Sequence, residues 1–206
     1  NLMNKVKVVK LLEPKYIGEA DLTRLQDFNA AAIAVTDHCG YLHPGDIPHH
    51  IYNGNKHYDP VDLMTIWEDE VGVAAWLLAD PSHKSFDAEV RPDLRGGHFE
   101  PDVLQLAEAH TEHLMQRHNI ASDYIHADAF RGDSARRELL TTLGYEPVDE
   151  APYVLNKTEI DAVELHALPT GFSFSSANRV DDAAALAKVH NAAVSPNWTP
   201  ELYQNV

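Results

Sequence analysis

Apolar residues recur at three- and four-residue spacing between positions 21 and 35, at Leu22, Leu25, Phe28, Ala32 and Val35, and predict a helix with one buried face. Before it, residues 5–12 read as a short β-rich strand closed by Glu13-Pro14. After it, Pro44, Gly45, Pro48, Gly54 and Pro60 break up residues 36–61 into a long loop or a broken helix. Runs at 63–67 and 71–79 flank Glu68-Asp69-Glu70 as an antiparallel hairpin, and 85–90 is a third strand. Pro92, Arg95, Gly96 and Gly97 then interrupt the pattern. A helix is expected at 101–118, its apolar face made by Val103, Leu104, Leu106, Ala107, Leu114 and Met115, with Pro101 suited to the first turn. Further on, 121–127 reads as a strand, 133–143 as a helix with Gly144 as its cap, and 145–148 and 153–156 as final strands. This order predicts an α/β fold of mixed α+β type, a central mixed sheet flanked by helices.

The helix pattern returns near the end of the chain. Residues 19–33, EADLTRLQDFNAAAI, and 181–195, DDAAALAKVHNAAVS, align with Asn29 on Asn191, an offset of 162. Each follows a strand-like run, the later one at 172–177. The expected organisation is one complete unit at 1–156, a linker at 157–170 and, at 171–206, the first strand and helix of a second, truncated unit. Thirty-six residues bury too little to stand alone, so that segment is expected to pack on the first unit or pair with another chain, which points to a homo-oligomer.

Charge narrows the partners. Sixteen Lys and Arg against 32 Asp and Glu, a formal net charge of -16 over 206 residues, give an average field that repels nucleic acid and anionic membranes. No apolar run approaches the ~20 residues of a membrane helix. The single cysteine, Cys39, cannot form an internal disulfide, which fits a reducing, cytoplasmic setting. A compact phosphate group remains a possible ligand, since a helix N-terminus binds one locally.

The run Val90-Arg91-Pro92-Asp93-Leu94-Arg95-Gly96 lies between a strand and a helix, and a further strand and helix lead to Leu143-Gly144-Tyr145. Over residues 5–156 this order resembles the GNAT acyl-CoA-dependent N-acetyltransferases. The most specific pieces are the Val-x-Pro-x-x-Arg-Gly run and residues 133–145, DSARRELLTTLGY, which is similar to the family's Asn-x-x-x-x-x-x-Tyr-x-x-x-Gly-Phe segment. Two copies in one chain resemble the family's tandem members. The resemblance implies acetyl transfer from acetyl-CoA to a small-molecule primary amine by the whole tandem protein. It also implies a coenzyme A loop at Val90, Arg95, Gly96, Gly97 and His98, whose amides would hold the pyrophosphate.

The departures matter as much as the matches. His98 and Glu100 stand where the family has glycine, and glycine or alanine, and Asp102 follows, so carboxylates occupy the place of the pyrophosphate. Leu140 stands where the family's tyrosine protonates the departing thiolate, and leucine has no proton to give. Weak or absent acetyl-CoA binding is therefore expected in the first unit, and no catalytic residue is assigned. A noncatalytic GNAT-like scaffold is the rival reading, and a small-ligand module built on residues 36–61 a second one.

Other constellations yield to simpler readings. Thirteen histidines, among them His38, His43, His49, His50 and His57 near Cys39, show none of the standard zinc spacings, and no metal is expected. His110 and His113 read as a solvated helix face beside Glu108 and Glu112. Glu68, Asp69 and Glu70 read as a solvated turn, Asp87 and Glu89 as one exposed strand face, and Trp67, Trp76 and Tyr145 as core.

Overall fold

The computed structural model describes residues 18–36, 40–148, 166–178, 180–194 and 197–205. The strands expected at 5–12 and 153–156, and most of the 157–170 linker, lie outside these. The chain divides after Gly144 into two compact units.

In the first unit, α1 (Glu19–Val35) forms as its periodicity predicts. Leu22, Leu25 and Ala32 are buried and Phe28 packs against the core, but Val35 is exposed, so the apolar face ends a turn early. The interrupted stretch that follows is a broken helix: α2 (Asp46–His49), one π-turn (His50–Gly54) and α3 (Pro60–Leu63), the last capped by the Asp59 carboxylate. Ile47 and Ile51, one helical turn apart, are fully buried with Leu63. Leu42, Ile47, Ile51 and Leu63 of this stretch thus contribute to the core.

Among the described residues the sheet has four strands in the order β1 (Met64–Asp69), β2 (Gly72–Asp80), β3 (Ser85–Val90), β4 (His126–Ala127). The first three are antiparallel as expected, and β4 runs parallel to β3. The hairpin is tighter than the sequence predicts. Glu68 and Asp69 belong to β1, and the Asp69 carboxylate accepts from the Val71 and Gly72 amides. The expected strand at 121–127 shrinks to two paired residues, because Ser122 exchanges hydrogen bonds with the Tyr124 backbone and diverts 122–124 from the ladder.

Alternation assigns the faces. Met64, Ile66, Trp76 and Leu78 join α1, Leu42, Ile47, Ile51 and Leu63 in one core, and Asp87 and Glu89 lie opposite Leu78 and Trp76 on that same face. The other face meets α4 (Phe99–Arg117) through Val103, Leu104, Ala107, Leu114 and Met115, with Trp67 edge-on to Phe99. Leu106, assigned above to the apolar face, is exposed. His110 is half-buried and bonds the Asp62 carbonyl, while His113 stays exposed. α5 (Ser134–Thr142) starts at an Asp133 cap that accepts the Arg136 amide at 3.0 Å, and Gly144, at φ 95°, follows it as expected of a C-terminal cap.

The second unit contains α6 (Ala183–Ala193) and α7 (Pro200–Asn205). The strands expected at 145–148 and 172–177 do not form; Phe172 and Phe174 are exposed, and no described strand pairs with them. A local aromatic cluster holds this unit instead. His190 stacks on Trp198 at 4.3 Å and shares a 2.7 Å hydrogen bond with the Tyr203 hydroxyl. Asn191 donates to the Trp198 carbonyl at 2.8 Å and accepts its amide at 2.9 Å.

Arg91 grips Asp69 through both terminal nitrogens, at 3.0 and 2.7 Å, and closes the end of the hairpin onto the start of the loop after β3. The side-chain hydrogen bonds from Arg91 hold the Asp69 carboxyl far below the usual carboxylate range. Its contribution is therefore present above the ordinary Asp pKa and is lost only in strong acid, as pH falls through the depressed value. Arg91→Ala is expected to lower stability by about 2 kcal/mol at neutral pH; denaturant unfolding checks it, and the difference from wild type should vanish in strong acid.

Candidate functional site

Between β3 and α4 the chain makes a 3-10 turn, Pro92–Leu94, and then the Arg95-Gly96-Gly97-His98 loop. Gly96 takes φ +70°, a conformation side chains disfavour, and this turns its amide back toward the helix start. The Gly96 amide donates to Glu100 Oε2 at 2.7 Å, and the Gly97 amide to the Leu94 carbonyl at 3.3 Å. Val90 is buried at the end of β3, whereas Gly97 and His98 are exposed. Glu100 is buried in the first turn of α4, where the positive end of the helix dipole suits a carboxylate. Asp102, expected beside it at the anion site, is exposed instead.

Arg95 connects this loop to α5. Its guanidinium ion-pairs with Asp133 and approaches Glu100 at 3.8 Å. Burial alone would raise the Asp133 carboxyl; the Arg136 amide, the Tyr41 hydroxyl and Arg95 outweigh it and hold it low. Leu140 is buried and packs as an apolar side chain, and Tyr145 is half-buried.

Across the edge of β3 lies a second group of charges that the sequence reading placed on an exposed face. Glu89 is 3% exposed and Asp87 half-buried. The reason is tertiary: their face of β3 is covered rather than solvated. Arg136, 2% exposed, donates to the Ala88 carbonyl at 3.1 Å and lies 4.4 Å over the Tyr41 ring. The Tyr41 amide donates to Glu89 at 3.3 Å, and its hydroxyl to Asp133 at 2.7 Å. Tyr41 and Arg136 were not singled out from sequence. For Arg136 a signal existed, since it stands one turn before Leu140 on the buried side of α5. Tyr41 offered none.

Burial pushes the Glu89 carboxyl up, and burial with the nearby Asp128 and Asp80 charges pushes Asp87 up to about 7, against the pull of Arg136. Glu68 pairs with Arg24 and Asp69 with Arg91; both acids belong to β1 and are half-buried, not part of the solvated turn expected from sequence. Among the described residues no group of three or more His, Cys, Asp or Glu converges on a metal position, and no helix is long and apolar enough to cross a membrane.

With this geometry in hand, comparison of the chain with protein-family models and with curated proteins finds no match.

Because the Asp87 pKa is raised on folding, ionising it costs stability; its contribution is fully present below the ordinary carboxyl value of 3.8 and is lost progressively as pH rises from there to about 7. Asp87→Asn should flatten the decline in thermal midpoint between about pH 4 and 7, as differential scanning calorimetry of both proteins would show.

Proposed function

We propose that the chain belongs to an N-acetyltransferase-like protein of the GNAT type, and that its first unit is a supporting unit that does not bind acetyl-CoA. Acetyl transfer to a small primary amine is then the work of the whole tandem protein, which places the thioester beside a deprotonated amine. The mixed sheet flanked by helices is compatible with that fold. The observation that carries the supporting role is the 2.7 Å hydrogen bond from the Gly96 amide to Glu100. A pyrophosphate needs free amides and a positive field; here the Gly96 and Gly97 amides are spent within the chain, and a buried carboxylate sits where the anion would. Arg95, the remaining cation of the loop, is neutralised by Asp133. These residues do not fit the coenzyme.

The tandem part of the reading gains support from the two aligned asparagines. Asn29 donates to the Leu42 carbonyl at 2.7 Å and Asn191 to the Trp198 carbonyl at 2.8 Å, so each ties its helix to the chain that follows. Two pairs of positions at the same offset, Leu25 with Ala187 and Asp21 with Ala183, are likewise buried in both copies.

Isothermal titration with acetyl-CoA tests the proposal. No binding is expected at micromolar concentrations in the wild-type chain, and the double change His98→Gly with Glu100→Gly is expected to create it. Micromolar affinity in the wild type would overturn the supporting role.

A further inference from the structure

The connection between β2 and β3 starts from Asp80, the last residue of β2, and ends at Ser85. Asp80 is 4% exposed, and its carboxylate turns back over the connection: Oδ1 accepts the His83 amide at 3.1 Å and Oδ2 meets His83 Nδ1 at 2.8 Å. The Lys84 amide closes the same turn on the Pro81 carbonyl at 3.2 Å. The His83 side chain, by contrast, is 70% exposed. A buried carboxylate thus holds one nitrogen of a ring that otherwise stands in solvent.

That pairing decides where the ring hydrogen sits. A carboxylate only accepts, so the hydrogen of the 2.8 Å contact is on Nδ1, and the lone pair of the neutral imidazole is on Nε2. An imidazole that donates its second ring hydrogen to a carboxylate is fixed in tautomer and orientation and is more basic at the nitrogen left free. The carboxylate is itself oriented by the His83 amide, so acid and ring are held together at two points. Other histidines are placed differently. His110 Nε2 is engaged by the Asp62 carbonyl and His190 Nδ1 by the Tyr203 hydroxyl, both at 2.7 Å, while His113 is exposed and has no hydrogen-bond partner among the described residues.

We propose that His83 is a nucleophilic modification site for small activated acyl compounds, with Asp80 as its positioning residue. Nε2 attacks the acyl carbon; the N–C bond forms, the bond to the leaving group breaks, and that group departs with the electron pair. Acylation makes the ring cationic, and the Asp80 carboxylate stabilises that charge until the Nδ1 proton passes through it to water. Ser82 and His83 are both exposed on this turn, so the site selects by the reactivity of the acyl group rather than by shape. This inference goes beyond the proposed function and uses none of the residues of the Arg95 loop, so either can fail without the other.

Diethyl pyrocarbonate, an acyl donor of this class, tests the proposal on the intact chain at neutral pH, with the modified positions read by mass spectrometry. His83 should be acylated about fivefold faster than the exposed, unpaired His113. Asp80→Asn keeps an acceptor for the His83 amide, but its side-chain N–H donates to Nδ1 and moves the ring hydrogen to Nε2, so His83 should fall to the His113 rate or below it. Long-range nitrogen–proton NMR of the wild type needs no variant, and should show His83 with its hydrogen on Nδ1. A wild-type His83 rate no higher than that of His113, or a wild-type ring with its hydrogen on Nε2, would overturn the proposal. An unchanged His83 rate in a folded Asp80→Asn protein would overturn the role of Asp80.

Discussion

A fully buried tryptophan N–H must find an acceptor, and in this protein the answer organises the first unit. Trp76, at the centre of β2 and 0% exposed, donates to Asn29 Oδ1 at 2.7 Å. The asparagine, itself 2% exposed, passes the constraint on through its own amide to the Leu42 carbonyl. One side chain thus ties the sheet, α1 and the chain that follows α1. Left unpaired, the indole N–H alone would cost about 1–3 kcal/mol, enough to make this polar insertion in an apolar face favourable. Because Leu42 is placed by that bond, Tyr41 beside it is delivered to the edge of β3.

From there the structure is governed by charge pairing in a dry place. Glu89, Glu100, Asp133, Arg95 and Arg136 are all wholly or largely buried around the ends of β3, α4 and α5. A buried charge is tolerated only with partners, and the chain supplies them internally: Glu100 takes the Gly96 amide, Asp133 takes Arg95 and Tyr41, and Arg136 takes a carbonyl of β3. Arg95 and Arg136 are thus committed to partners within the chain, and the loop that resembles an anion cradle has its amides engaged by the protein itself. The same accounting links the two ends of the site, since the oxygen that neutralises Arg95 is also the one that holds Tyr41.

Much of this was legible from residue pattern. Period-3.6 spacing located α1 and α4, the Gly144 cap marked the end of α5, and alternation and turn residues located the three antiparallel strands. The misreadings share a cause. Asp87 and Glu89 alternate with apolar residues and so read as a solvated face, yet the face is covered by α1 and the broken helix. The stretch at 121–127 has the composition of a strand, but the Ser122 and Tyr124 hydrogen bonds compete locally with the ladder. The run at 172–177 alternates like a strand and finds no described partner.

By itself, then, the sequence determined α1, the three antiparallel strands, α4, α5 and their order, together with a strongly acidic net charge, because each rests on local periodicity, turn chemistry or composition. Only the tertiary structure decided which face of β3 is dry, that β3 and β4 part after two pairs, and that Tyr41, Asp133 and Arg136 converge on the gap. Those outcomes depend on contacts between residues as much as 92 positions apart, as from Tyr41 to Asp133. Burial and hydrogen-bond partners at such separations are set by how whole elements pack, and no spacing rule along the chain encodes them.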